Sequence, residues 1–425
     1  MFKFVKLFFY IIIEILTFLI RYQNYNSMAI SIINHIANYN IVFIKIFQWV
    51  WIKNNSDQLG FITDEIIELI NKFTTNTPFV ESDIDYEKIL LIYKIANENG
   101  DKFEIDNIEP VNSGTISLIF KGKLNGNYVA IKLLRKNIKE KIESGLNLLI
   151  SFENIISKLF IINRYYNCKI FADNKHNILN QLDFVKECEN IKLFYENFKK
   201  NKNVIIPNTY QVYTNLIKNL ILMDWIEGKY LYELNNEEFI KYFTPFTKYI
   251  NKSIFDKNIF HCDLHQGNIL FINEIINNKP IYKIGIIDFG MVNRLTIDDV
   301  NFIYMLLNAI FNKKFFQFIN YLKIENNCKY IFENTNNIEL CIEEIINLHN
   351  QNLFFNEPKT IIIINNILTF LNILKKYNRS VNSNINYWLL SFIPILTITS
   401  KLGSEFSKSE IMGKYLLNIT EFDIE

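Results

Sequence analysis

The sequence predicts an α+β chain in which a small β-containing part precedes a larger helical part, with a helical extension ahead of both. Three observations carry this prediction. Residues 116–123 (ISLIFKGK) and 128–134 (YVAIKLL) are β-rich, and Asn125-Gly126 stands between them, a strong hairpin signal. Residues 138–200 and nearly everything after Gly228 carry apolar residues at helical spacing. Residues 64–70 (DEIIELI) show the same spacing within the first hundred positions.

Taken in order, residues 1–100 read as a helical extension ending near Asn99-Gly100-Asp101, a turn signal. Residues 101–228 form the β-containing part and add two strand-like runs, 211–215 and 219–225. Residues 229–425 form the helical part, interrupted by strand-like pieces at 269–272 and 282–287. The junction of the two parts falls at 223–228. Hydrophobic residues make up 49% and charged residues 21% of the 425 positions, a composition that can bury a large core. Only 12 glycines and 7 prolines occur, so long helices are favoured. Lys+Arg number 45 and Asp+Glu 44; the net charge of +1 gives no global attraction to nucleic acid, and none is expected as a partner.

The five cysteines form no C-x-x-C pair and are odd in number, which predicts buried thiols in a reducing, intracellular compartment rather than a disulfide framework. Residues 7–20 are strongly apolar, interrupted by Glu14 and too short for a comfortable span. They predict a helix packed on the protein or lying on a membrane surface, and 387–402 is a weaker second candidate.

The chemistry-bearing residues come in one order. His261-Cys262-Asp263 is followed five positions later by Asn268, and Ile287-Asp288-Phe289-Gly290 brings Asp288 twenty-five positions after Asp263. Phosphoryl transfer needs charge neutralisation and positioning more than covalent help, and metal ions bridging phosphates need hard oxygen ligands. Asn268 and Asp288 supply such ligands; Asp263 can orient or deprotonate an attacking hydroxyl; His261 is assigned a structural role. This is the H-x-D-x-x-x-x-N then D-F-G order of protein kinases. Upstream, Asn112, Ser113, Gly114 and Thr115 stand where a loop over the phosphates belongs, and Val129-Ala130-Ile131-Lys132 puts a lysine late in a strand. Glu187 is the candidate carboxylate for Lys132, and Met223, Asp224 and Ile226 lie in a hinge-like segment whose backbone would meet the adenine edge. Alone, each signal has a plainer reading: a buried strand, an ordinary turn, a core histidine. The set in order predicts a two-lobed protein-kinase-like fold that binds ATP and metal ions bridging its phosphates.

In detail the sequence resembles the ABC1/UbiB/ADCK family of atypical kinases. That family's H-x-D-x-H-P-G-N is matched by HCDLHQGN (261–268), its I-D-F-G-M-V-G-R-L by IDFGMVNRL (287–295), its hinge by MDWIEG (223–228) and its L-D-x-x-x-E-A-x-N by LDFVKECEN (182–190). Its K-x-G-Q segment corresponds to Lys45, Phe47 and Gln48, with phenylalanine in place of glycine; its E-x-D reads Gln181-Leu182-Asp183; its alanine-rich loop carries Gly114. The resemblance covers residues 1–330. It implies ATP and a divalent metal, usually magnesium (Mg2+), association with membranes, and often with ubiquinone or other isoprenoid-lipid metabolism. The acceptor is left open: a protein, a lipid-like small molecule or water. Two alternatives remain: a small-molecule phosphotransferase of the choline or aminoglycoside type, whose catalytic loop has the same letters, and a catalytically silent nucleotide-binding scaffold.

Overall fold

The computed structural model describes residues 25–44, 76–156, 178–332, 338–351, 360–377 and 379–400, together with Tyr10, Ile13, Glu14, Leu16, Thr17, Phe18, Glu65, Ile66, Leu69, Phe73 and Lys175. Lys45, Phe47 and Gln48, and most of the apolar run 7–20, lie outside the described residues. The chain divides into two compact units: residues 1–189 with 208–225, and residues 190–207 with 226–425.

The first unit opens with helices α1 (Tyr25–Tyr39) and α2 (Tyr86–Asn99). Strands β1 (Phe103–Ile105), β2 (Asn112–Ser113), β3 (Ser117–Leu124) and β4 (Asn127–Leu134) follow, then helix α3 (Ile138–Ile156). Helix α4 (Phe184–Phe198) begins in this unit and ends in the second, where β5 (Val204–Ile205) lies. Helix α5 (Gln211–Leu216) and β6 (Leu220–Asp224) belong to the first unit again.

An antiparallel sheet in the order β1-β3-β4-β6, with β2 also paired to β3, is the centre of this unit. Asn125 (φ 52°) and Gly126 (φ 83°) form the tip of the β3–β4 hairpin, the left-handed pair that such a two-residue turn needs. The two-residue period of a strand sorts the side chains. Val129, Ile131 and Leu133 of β4 join Leu118, Phe120, Leu220 and Leu222 in one apolar cluster. Ile89, Ile92 and Ala96 of α2 and Tyr213 and Ile217 from the α5 region close over it. Ala130, Lys132 and Leu134 therefore share the opposite face.

One expectation is corrected here. Residues 211–215 read as a strand because Val, Tyr and Thr favour strands. They form α5 instead: Tyr213 and Ile217, four apart, are buried in the sheet's cluster, and the Tyr213 hydroxyl donates to Asp101 at 2.7 Å. Tertiary burial at helical spacing overrides the local preference.

In the second unit, helix α6 (Asn236–Asn251) leads into β7 (Ile259–His261). Strands β8 (Ile269–Ile276), β9 (Lys279–Ile286) and β10 (Val292–Arg294) follow. Helices α7 (Ile297–Phe311), α8 (Phe315–Lys323), α9 (Glu325–Ile331), α10 (Ile338–Asn350), α11 (Thr360–Lys376) and α12 (Ser383–Ser400) complete it. β8 and β9 form an antiparallel hairpin, β5 adds in parallel to β9, and β10 pairs with β7. Strands at 269–272 and 282–287 were legible; the three-residue β7 and β10 were not. The weaker membrane candidate, 387–402, falls largely in α12, where Trp388, Leu389, Phe392 and Ile393 are buried in the core. No helix among the described residues is long and apolar enough to cross a membrane. Cys188, Cys328 and Cys341 are buried free thiols and Cys262 is half-buried and free.

Candidate active site

The first unit places its candidate residues around Lys132. β4 carries Lys132 between Ile119 of β3 and Ile221 of β6, so sheet pairing fixes its backbone on both sides. Its side chain leaves the face opposite the apolar cluster and is 3% exposed. The Lys132 ammonium donates to Glu187 Oε1 at 2.5 Å, and Glu187 is 1% exposed. Lys132 also stands 5.5 Å over the Phe184 ring. Glu187 is aimed by its helix. Asp183 accepts from the N–H groups of Val185 and Lys186, both at 3.1 Å, and so caps the start of α4. Asp183, the aspartate of the E-x-D-like segment, thus acts as a helix cap, and Gln181 beside it is buried.

The loop at 112–115 is held from several directions. The Ser113 hydroxyl donates to Thr77 O at 2.6 Å and accepts from Arg135 Nη2 at 2.7 Å. The Ser113 N–H donates to the Asn112 side chain and the Gly114 N–H to Ser117 O. Ser113 and Gly114 therefore turn their donors inward in this conformation. Arg135, which bonds to this loop, and Asp83, which bonds to Arg135, escaped sequence reasoning. The one signal was a charged residue directly after the buried run VAIKLL (129–134).

Met223 and Asp224 end β6, paired with Ala130 and Val129. The Asp224 carboxylate accepts from the Asn208 N–H and the Tyr210 hydroxyl, both at 3.0 Å, which fixes the strand's exit. Ile226 begins the second unit's part and is buried there with Leu270 and Ile272.

The second unit brings Asp263, Asn268 and Asp288 to one end of the β8–β9 hairpin. Asn268 immediately precedes β8, Asp288 follows β9 by two positions, and the Ile287 N–H donates to Asn268 O at 3.2 Å. Asn268 Nδ2 donates to Asp263 O at 2.8 Å, which closes the loop between them and commits the amide nitrogen. Its carbonyl oxygen is the atom that could serve a metal ion as a ligand. The Asp288 Oδ1 accepts from the Gly290 N–H at 3.0 Å.

His261 pins the two loops together. Its Nδ1 accepts the Asp263 N–H at 3.2 Å, so its Nε2 carries the proton donated to the Asp288 carbonyl. Burial pushes the His261 pKa down from its ordinary 6.5, which keeps this neutral tautomer. The β7–β10 pairing, Val292 opposite His261, adds a backbone tie, and the Cys262 N–H donates to Met291 O at 2.9 Å. The second half of α4 seats Phe289. Phe194 packs on it at 4.9 Å, and Asn190 Nδ2 donates to Phe289 O at 2.9 Å.

The donor set suits magnesium. One carboxylate and one amide carbonyl are hard oxygens, and Mg2+ binds through one or two carboxylates plus phosphates and water. Among the described residues no group of three His, Cys, Asp or Glu side chains gathers to hold an ion. Asn268 and Asp288 would hold it; when bound, it would neutralise phosphate charge.

The sequence model of the ABC1 atypical kinase-like domain matches residues 65–322. The chain belongs to the ABC1 atypical kinase-like family. Its fold is accordingly protein-kinase-like, with a β-sheet unit and a helical unit. The protein described as "Probable protein kinase UbiB" of Histophilus somni is 28% identical over 193 residues, covering 44% of this chain and 35% of that protein. Its namesake from Shewanella woodyi is 26% identical over 293 residues, covering 64% of this chain and 49% of that protein. The chain thus spans a third to a half of the length of the curated relatives it matches. Among solved structures, the complex of Rv3197 with erythromycin from Mycobacterium tuberculosis superposes with a TM-score of 0.47 at 15% identity, covering 74% of this chain and 77% of that one.

Proposed function

We propose that this ABC1-family chain binds ATP with Mg2+ and catalyses phosphoryl transfer to an acceptor, or hydrolysis when water is the acceptor. The Lys132–Glu187 pair carries the reading. Removing two charges from water costs more than a well-packed apolar pair would, so a stability role alone explains it poorly. A lysine held by a carboxylate beside a strand is what pairing with the α- and β-phosphates requires. In this reading Asn112, Ser113, Gly114 and Thr115 cover the phosphates, and the backbone at Met223, Asp224 and Ile226 meets the adenine edge. Asn268 and Asp288 hold the metal, and Asp263 receives or orients the acceptor hydroxyl. Relatives described as probable protein kinases support this assignment. The expected outcome is Mg2+-dependent ATP binding and turnover by the native chain, lost in Asp288→Asn and Lys132→Ala. Unchanged binding in both variants would sink the assignment, and binding without turnover would favour the silent scaffold.

The acceptor is a protein, a lipid-like small molecule or water; family resemblance favours a lipid-linked role at an intracellular membrane surface. One observation supports that placement. Glu14, the charge that interrupts the apolar run, accepts from Tyr10 at 2.5 Å and from Ser31 of α1 at 3.1 Å, while Ile13 and Leu16 are exposed. Deleting residues 1–20 should move the protein from the membrane pellet to the supernatant; retention in the pellet would refute this anchor.

A further inference from the structure

We propose that Arg135 is a positioning residue that locks the loop at 112–115, and that Asp83 and Lys141 tie this lock to the N-terminal extension. The proposal deepens the reading above and rests on it, since it makes the phosphate-covering loop a held element rather than a mobile flap.

Arg135 follows Lys132 by three positions and is 2% exposed. Its guanidinium spends its donors on three separate stretches of chain. Nη1 donates to Pro78 O at 3.0 Å and to Asp83 Oδ2 at 2.9 Å. Nη2 donates to Thr77 O at 3.2 Å, Ser113 Oγ at 2.7 Å and Gly114 O at 2.9 Å. Nε adds a bond to Gly114 O at 3.2 Å. The segment around Thr77 is itself bound to the loop: the Thr77 N–H donates to Ser113 O at 2.7 Å, and Asn76 pairs with Ser113 as a parallel bridge. Neutralising the buried Asp83 would take one of these bonds. The others reach backbone carbonyls and the hydroxyl of the loop, and only a planar fork with five donors can serve all of them.

The lock continues outward. Asp83 Oδ1 accepts from Lys141 of α3 at 2.6 Å. One turn later Gly145 lies so close to the chain after α1 that a Cβ there would fall 2.5 Å from Val42 Cγ1. Asn40 Nδ2 donates to Lys141 O at 2.8 Å. The extension therefore rests on the helix whose lysine holds Asp83, and Asp83 holds Arg135. A loop fixed before the ligand arrives avoids the ordering cost that a mobile loop meets on binding.

The full-length chain tests this with Arg135→Lys, which keeps the charge opposite Asp83 and removes the fork. Amide hydrogen exchange across 112–115 should rise at least about tenfold, and Mg2+-ATP affinity should fall about five- to tenfold, as expected for lost bonds to a charged donor. Adenosine, which has no phosphates, should bind within about twofold of the native value, because the reading above assigns the loop to the phosphates alone. Asp83→Asn should show the same split and serves if Arg135→Lys does not fold. Native exchange and native ATP affinity in both variants would overturn the proposal, leaving Arg135 a partner for Asp83 only. Equal weakening of ATP and adenosine would also overturn it. If the native chain binds no ATP, the proposed function fails, while raised loop exchange in the variants still upholds the lock.

Discussion

A lysine and a glutamate removed from water at one point of a sheet make an unusual commitment. Breaking a buried ion pair from one side leaves an uncompensated charge, which typically costs about 3–5 kcal/mol, whereas replacing both partners with apolar groups of similar volume is often neutral. We therefore expect Lys132→Met and Glu187→Leu each to lower stability by about 3–5 kcal/mol, and the double variant to recover most of that loss, read by urea denaturation in a double-mutant cycle. Additive losses in the cycle would mean that the two side chains do not interact as the 2.5 Å contact implies. The double variant should still bind no ATP if the pair serves phosphate. Lys132 and Glu187 were legible because each sits in a recognisable string. Arg135 and Asp83 were not, since the contacts that matter are to backbone atoms thirty to sixty positions away in the chain, and no local pattern encodes them.

Among the elements, α4 has two tasks along one helix. Its first turns present Glu187; its later turns present Asn190 and Phe194 to the D-F-G segment. Phe194 also lies 6.1 Å from Phe198, and 6.4 Å from both Tyr249 and His261, so it fills the space on which Phe289 rests. Phe194→Ala should cost about 3–5 kcal/mol through the cavity it leaves, and Phe194→Leu distinctly less. Chemical denaturation checks the order; a neutral Phe194→Ala would show that the ring is not a support. The hairpin β3–β4 was readable because its turn chemistry and strand pattern are both local, and the hairpin β8–β9 nearly so. The strands β7 and β10 are three residues each and gain their identity only by pairing with each other across the catalytic and D-F-G loops. The sequence there reads as a chemical motif before it reads as a strand. α5 failed for the opposite reason: its local preference was clear, but burial of Tyr213 and Ile217 decided otherwise.

At the scale of the molecule, the family match ends at residue 322, yet the second unit does not. α12 lies far beyond it and packs against α7 and α11. Its Trp388 is 1% exposed and stacks on Phe392 at 4.9 Å; its ring also lies 6.3 Å from Phe260, on the strand that leads into Asp263. Polar contacts follow the same direction. Asn384 Nδ2 donates to the buried Asp299 at 3.0 Å, and Asn384 Oδ1 accepts from Asn293 of β10 at 3.1 Å, five positions after Asp288. The C-terminal helices therefore support β7 and β10 from behind and are part of the core rather than an appendage. Fully burying one large apolar side chain is worth about 1.5–3 kcal/mol, and a domain's whole stability is only about 5–15 kcal/mol. Removing Trp388, Leu389, Phe392, Ile393 and Leu396 together costs about as much as that whole reserve. A chain ending at residue 337 should therefore be insoluble or lack a cooperative unfolding transition, although it retains the whole family match. Asn384→Ala should fold, with a lower melting temperature and weaker Mg2+ dependence of nucleotide binding, because β10 loses its anchor and Asp288 its fixed position. Cooperative unfolding of the 1–337 fragment near the native temperature would show that the unit closes without α12, and the support assigned to Trp388 and Asn384 would then be wrong.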